Sequence, residues 1–178
     1  MKRPAILLAT AVLLFAPITA GCGSGNDAAT KVQGRSGGGI NIGVEGMVID
    51  NATIVVGNPG SGEAAFLGTL YNPTDSEDEL LSITAGESKA ELSPETIAVA
   101  GSGAAMIMAG TDQQALFSGF DVQPGQYTKV TMVFKTAASA DFEALVVAPY
   151  GPYVEAAPEG TDQVVKEIEK RSEGEGGE

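Results

Sequence analysis

Few residues in this 178-residue chain could do chemistry, because it contains one cysteine, Cys22, and neither histidine nor tryptophan. Without histidine, a Cys/His nucleophilic pair, a Ser-His-Asp triad and a histidine-ligated zinc site are excluded. Thioethers remain as soft metal ligands, and of the five methionines Met106 and Met108 lie two residues apart, on one face of a predicted strand. They indicate either half of a Cu(I) site or packing in a strand buried on both faces. We predict that the protein is not an enzyme and holds no cofactor unless these methionines bind copper.

The segment before Cys22 has the parts of an export signal. Two basic residues precede an apolar run over residues 5–16, shorter than the roughly 20 residues of a membrane span. TAGC, residues 19–22, resembles a bacterial lipobox, whose cysteine is acylated, for example with palmitate, although Thr19 replaces the usual aliphatic residue. We predict a lipoprotein signal peptide at 1–21 and lipid attachment at Cys22, on the extracytoplasmic face of the cell membrane. The alternative is an ordinary signal peptide cut elsewhere, which leaves Cys22 as a free thiol.

The chain is strongly acidic, with ten basic and 23 acidic residues and a formal net charge of −13. Removal of residues 1–21 takes away two basic residues and no acidic one, so the mature charge becomes −15. Such a surface repels nucleic acid and anionic lipid. We therefore expect no nucleic-acid partner and contact with the membrane only through the lipid anchor. The predicted location, rather than the charge, makes a cell-envelope protein the expected partner.

Composition divides the mature chain into three segments. Residues 22–39 comprise the lipidated cysteine and a flexible Gly/Ser-rich tether, and residues 158–178 form an acidic tail that we predict to be disordered. Between them, residues 40–157 contain short runs rich in Val, Ile, Thr and Phe, separated by turn residues. These runs predict one β domain.

The domain is predicted to be all-β, with eight or nine strands. In the clearest strand, TKVTMVFK, Val130, Met132 and Phe134 alternate with outward-facing residues. Short strands with turn signals between them are typical of an immunoglobulin-like or cupredoxin-like β-sandwich. The other predicted strands are MVIDNATIVV, AAFLGTLYN, LLSITA, SKAELS, TIAVA, AAMIMA, QALFSGF and DFEALVVAP.

Several segments of this domain occur in an order that resembles the periplasmic copper chaperones of the PCuAC type. Asn72, Asp78 and Leu80 match that family's opening of a strand, an Asn, a short polar turn and Asp-x-Leu. SKAELS, ALFSGF and VQPGQYTKVTMVFK match its later strands. The lipobox and the Ala/Gly-rich texture are similar to those of the actinobacterial LpqE-like lipoproteins of the same group.

The resemblance implies a copper site made of two histidines and methionines, including a His-x-Met pair. In this chain Gln114 and Leu116 stand at the positions of that pair, and Ser93 stands at the earlier histidine. An amide and an isobutyl group do not select copper. We therefore predict a relative of this family in which the copper site is not retained. Partners that handle copper or assemble respiratory proteins are a further implication of the resemblance.

Two hypotheses of function follow. The first is a lipid-anchored, extracytoplasmic binding or accessory module of the bacterial cell envelope, similar to a copper chaperone that lacks the family copper site. The alternative is a copper-binding metallochaperone that uses Met106, Met108 and further, unidentified ligands.

Two other groups of residues are weaker candidates for function. Tyr150 and Tyr153 flank a Gly-Pro turn and are suited either to contact with a partner or to capping the sandwich. The acidic run at residues 75–79 lacks the glycine of a calcium-binding loop, so we expect a solvated turn there.

Overall fold

The computed structural model of the protein describes residues 39–161. The predicted signal peptide, Cys22, the tether up to residue 38 and the tail from residue 162 lie outside these described residues. None of the described helices is long and apolar enough to cross a membrane. The elements are β1 (Ile40–Val44), β2 (Met47–Val56), β3 (Glu63–Tyr71), β4 (Asp78–Ala85), β5 (Ser88–Lys89), β6 (Glu91–Ser93), β7 (Ile97–Val99), β8 (Ala104–Ile107), β9 (Gln114–Ser118), β10 (Tyr127–Phe134), β11 (Ala140–Val147) and a 3-10 helix (Gly151–Ala156).

The strands confirm the predicted all-β fold, and each of the nine predicted segments contains a strand. The structure has eleven strands rather than eight or nine for two reasons. SKAELS is divided at Ala90, whose N–H donates to the carbonyl oxygen of Ile83 at 2.9 Å, so that β5 and β6 pair with different neighbours. In addition, β1 pairs with β2 although its Asn41 and Gly43 are residue types with low strand propensity.

The strands form one hydrogen-bonded sheet in the order β5-β4-β10-β11-β2-β3-β9-β6. The remaining strands join it at its sides, β1 on β2, β7 on β4 and β8 on β3. All pairs are antiparallel except β11 with β2. Because β5 and β6 stand at opposite ends of this order but are consecutive in the chain, the sheet must curve until its two ends meet. The result is a barrel-like sandwich with one main core and a smaller buried cluster beside the 3-10 helix.

The core follows from the period-two pattern of the strands. Val130, Met132 and Phe134 of β10 are buried as predicted, while Lys129 on the same strand is exposed. Full burial of a side chain of this size stabilises the fold by roughly 1.5–3 kcal/mol. The core also contains other fully buried large side chains, among them Met47, Ile49, Ile54, Phe66, Leu70, Leu80, Ile83, Ile97 and Ile107.

The described chain continues in an ordered turn past residue 157, the predicted end of the domain. The side-chain amide of Asn58 donates to the carbonyl oxygen of Gly160 at 3.0 Å, and Thr161 is buried. Residues 158–161 therefore pack on the loop between β2 and β3.

Asn72 organises the turn between β3 and β4 and is fully buried. Its amide nitrogen donates to the carbonyl oxygens of Ser76 and Val99, and its side-chain oxygen accepts from the backbone and the hydroxyl of Thr74. The neighbouring turn packs so closely that a Cβ on Gly101 would lie 2.3 Å from the carbonyl oxygen of Asp75, a contact that only glycine permits. The buried side-chain amide of Asn72 therefore holds this turn together through its hydrogen bonds to Thr74, Ser76 and Val99.

Asp78, at the start of β4, holds the loop that follows β10. Its carboxylate accepts the N–H groups of Thr136 at 2.9 Å and Ala137 at 2.8 Å, as well as that of Glu79. Burial by itself raises the pKa of the Asp78 carboxyl, but the donors from Ala137, Glu79 and Thr136 outweigh it. The pKa therefore lies below its ordinary value of 3.8. Residues 75–77 are exposed, as expected of a solvated turn, whereas Asp78 is not.

We expect Asp78→Ala to destabilise the protein by about 2–4 kcal/mol, because it leaves backbone N–H groups without acceptors in a partly buried loop. The folded pKa of Asp78 lies below its unfolded value. The ionised carboxylate therefore contributes fully above pH 3.8, and this contribution is lost as pH falls through the folded pKa. Urea unfolding at pH 7 and at pH 3 measures both effects.

Asp75→Ala is the matched control, because Asp75 lies in the same turn but is exposed. It should change the free energy of unfolding by no more than about 0.5 kcal/mol. An Asp78→Ala protein as stable as the Asp75→Ala protein at pH 7 would contradict the assigned role.

Candidate functional site

β8 and β9 form one interrupted strand alongside β3. β8 pairs with residues 68–71 of β3, and β9 pairs with residues 63–65. Between them the chain leaves the sheet as a loop, which the N–H of Met108 closes by donating to the carbonyl oxygen of Gln113 at 3.0 Å. This loop ends at Gln114, the first of the paired family positions identified in the sequence.

Side chains hold the loop internally. The Thr111 hydroxyl lies 2.8 Å from the carbonyl oxygen of Met108 and 2.9 Å from that of Gln113. It therefore donates a shared hydrogen bond to the two residues at which the loop begins and ends. The side-chain oxygen of Gln114 accepts the N–H of Gly110 at 3.2 Å. The amide at this position is therefore engaged in its own turn.

The structure brings together the three residues that the sequence resemblance aligns with the family's copper ligands. Ser93 of β6 lies directly opposite Gln114 of β9, and Leu116 lies opposite Glu91 two residues further along the same pair of strands. Ser93 is exposed, and the other two are half-buried. The group thus presents a hydroxyl, an amide and an isobutyl side chain, of which none is a soft metal ligand.

A cavity of about 340 Å³ adjoins Gln114 and Leu116. Its lining also includes Glu63 and Glu159, and it contains no histidine, cysteine or methionine that could supply a soft ligand for Cu(I). Within residues 39–161, no three His, Cys, Asp or Glu side chains are grouped so that they could hold a metal ion.

The two methionines have different surroundings. Met106, opposite Thr69 of β3, is 52% exposed. Met108 is half-buried and packs with Val55 and Tyr153 in a small cluster. The sequence alternative in which both pack inside a doubly buried strand is therefore wrong for Met106.

The tyrosines also differ from each other. Tyr153, in the 3-10 helix, packs with Ala156 and Ala157 over Val55, so it caps one face of the sheet. Tyr150, just before the helix, is 57% exposed and remains available for contact with another molecule.

A larger cavity, of about 580 Å³, lies where three loops meet. The loops follow β2, β9 and β11, and they contribute Pro59, Pro124 and Pro149 to its lining. The sequence marks each loop as a turn by its Pro and Gly residues. Nothing in the local sequence indicates that the three lie together, because their contact is produced by the pairing of distant strands.

Comparison with known proteins shows which fold this arrangement represents. No protein-family model and no curated protein matches the chain. Among solved structures, the copper-bound PCuAC domain from PmoF2 matches with a TM-score of 0.54 and 17% identity, over 62% of this chain and 99% of that one. The chain has the fold of a PCuAC domain.

Two further structures support the same conclusion. The apo PCuAC domain from PmoF1 matches with a TM-score of 0.56 and 15% identity, over 62% of this chain and all of that one. The apo PmoF2 PCuAC domain matches with a TM-score of 0.53 and 18% identity, over 63% and 98%. They support the PCuAC resemblance at the level of fold and do not distinguish the LpqE-like subgroup.

Truncation should separate the roles of the methionines. Met108→Ala should reduce the free energy of unfolding by about 1–2 kcal/mol, because it removes part of a packed cluster. Met106→Ala should change it by less than about 0.5 kcal/mol, since the side chain is largely exposed. Urea denaturation of both variants measures the difference, and equal losses would contradict the two environments described.

Proposed function

We propose that the protein is a lipid-anchored, extracytoplasmic binding module of the bacterial cell envelope. In this proposal it uses the PCuAC fold without the family copper site and acts through an envelope protein partner rather than by catalysis. The alternative is a copper-binding metallochaperone that uses Met106 and Met108.

The proposal rests mainly on the hydrogen bond that the Gln114 side chain accepts. Its side-chain oxygen accepts the Gly110 N–H, and its cross-strand neighbour is Ser93. Copper in proteins is bound by imidazole, thiolate and thioether ligands. Neither residue supplies one, and Leu116 supplies no donor atom at all. The position serves to stabilise a loop, so loss of copper binding leaves the fold intact.

The alternative draws support from Met106, whose exposed thioether is accessible to Cu(I). Against it, Met108 is committed to packing under the 3-10 helix. One exposed thioether gives a weak site, since no imidazole or thiolate lies within the described residues to complete it.

Copper titration tests the proposal. We expect the purified protein to bind Cu(I) more weakly than micromolar, measured against a chromogenic competitor. The triple variant Ser93→His, Gln114→His and Leu116→Met should gain at least about 100-fold in affinity, because it restores two imidazoles and a thioether at neighbouring positions.

The matched control carries the same three introduced residue types at exposed sites outside β6 and β9, as Ser76→His, Glu143→His and Leu81→Met. It should show no comparable gain. If the natural sequence binds one Cu(I) more tightly than micromolar, and Met106→Leu with Met108→Leu abolishes this, the alternative is correct. A folded triple variant without added copper affinity would show that the three positions do not form the site.

The proposed location at the membrane depends on lipid attachment at Cys22. A basic start, a short apolar run and small residues before the cysteine are the features that support it. A single acyl chain gives only marginal membrane binding, whereas the two or three chains of a bacterial lipoprotein give stable anchoring. The acidic domain would then stay at the membrane surface despite its charge.

Metabolic labelling with an alkyne fatty acid tests the anchor. The natural protein should incorporate the label and partition with membranes, and Cys22→Ala should do neither. Immunoblotting of the same samples controls for the amount of protein. Equal labelling of the two proteins would refute lipid attachment at this cysteine.

A further inference from the structure

The cavity of about 580 Å³ at the meeting of three loops has the dimensions of a small-molecule site. Such sites typically occupy about 300–1,000 Å³ and combine apolar walls with a few polar groups. Residues 57–62, 119–124 and 148–149 supply most of the lining, and Val56 and Glu63 complete it.

Backbone hydrogen bonds hold these loops in place. The N–H of Phe120 donates to the carbonyl oxygen of Gly62, and the N–H of Gly57 donates to that of Glu63, both at 2.8 Å. The N–H of Gly125 donates to the carbonyl oxygen of Val146, also at 2.8 Å. The cavity is therefore preformed, so binding of a ligand loses little entropy through ordering of the loops.

The lining combines an apolar surface with negative charge. Its charged lining residues are Glu63 and Asp121, both acidic and both exposed, and no basic residue lines it. The apolar part of the lining comes from Val56, Pro59, Phe120, Val122, Pro124, Ala148 and Pro149.

The surrounding charge favours a cation. Residues 39–161 contain sixteen acidic residues and only three lysines. Of these lysines, Lys129 forms an ion pair with Asp141 and Lys135 with Glu79. A cavity on so acidic a surface concentrates positively charged ligands and repels anions.

We propose that this cavity binds a small organic cation, an ammonium group attached to an apolar body. The ammonium lies at Glu63 and Asp121, and the apolar body contacts the wall formed by Val122 and Phe120. The site goes beyond the function proposed above, since it requires neither copper nor the lipid anchor. A free amine rather than a peptide is favoured because the lining comes from loops and from the ends of β2 and β3. Both of these strands lie inside the sheet order and offer no free edge for peptide addition.

The test compares 4-phenylbutylamine, which is protonated at pH 7, with the neutral 4-phenylbutanol, which has the same shape. Backbone amide shifts of the full-length protein are followed by NMR. We expect the amine to shift Gly62, Phe120 and Asp121 with a dissociation constant of about 1 mM, the range for a ligand of this size. The alcohol should bind at least about fivefold more weakly, and added salt should weaken only the amine.

Two charge variants locate the cation. Glu63→Gln and Asp121→Asn should each weaken binding of the amine by about three- to tenfold and leave binding of the alcohol unchanged. Glu95→Gln removes an exposed carboxylate outside the cavity and should leave both affinities within twofold. Val122→Ser, on the apolar wall, should weaken both probes. The dispersion of each variant's spectrum reports whether it is folded.

Equal affinities for amine and alcohol, or amine binding that survives Glu63→Gln combined with Asp121→Asn, would overturn the proposal. Shifts confined to other parts of the protein would do the same. A capped Phe-Lys dipeptide that binds more tightly than the free amine would assign the cavity to a partner's side chain instead. None of these outcomes depends on the copper titration, so the two proposals can fail separately.

Discussion

One buried carboxylate fixes the two strands on which the closure of the sheet depends. Asp78 ties the start of β4 to residues 136 and 137 after β10, and β4 and β10 then pair along their length. β4 also pairs with β5, which leads directly into β6 and so to β9. Asp78 thus helps to position β4, β4 pairs with β5, and β5 leads into β6. This places Ser93 of β6 opposite Gln114 of β9.

Most of the fold can be predicted from the sequence because its strands are amphipathic. The alternation of Val130, Met132 and Phe134 determines which face is buried whatever the tertiary partner. The division of SKAELS cannot be predicted in this way, since it depends on Ala90 donating to Ile83 where the sheet closes. The exposure of Met106 is likewise decided by what covers β8, and the sequence of β8 does not contain that information.

The candidate site, too, can be predicted from the sequence only in part, because some of its contacts depend on the tertiary structure. Family resemblance selects Ser93, Gln114 and Leu116 from distant parts of the sequence, and strand pairing explains why these positions belong together. The hydrogen bond from Gly110 to Gln114 depends on the shape of a loop that no residue pattern specifies. Asn72 and Asp78, which carry the resemblance, hold turns through backbone hydrogen bonds, and this role requires no metal.

The single parallel pairing in the sheet, between β2 and β11, has a consequence for how the chain folds. Among the strands of residues 39–161, β2 is the second to be synthesised and β11 is the last, yet Val55 and Val147 must lie side by side. A growing chain that ends before β11 has unpaired backbone groups at residues 53–55 of β2 and 127–132 of β10. Such edges recruit strands from other molecules. Completion of the barrel therefore waits for β11, which covers the open edges of β2 and β10 at the same time.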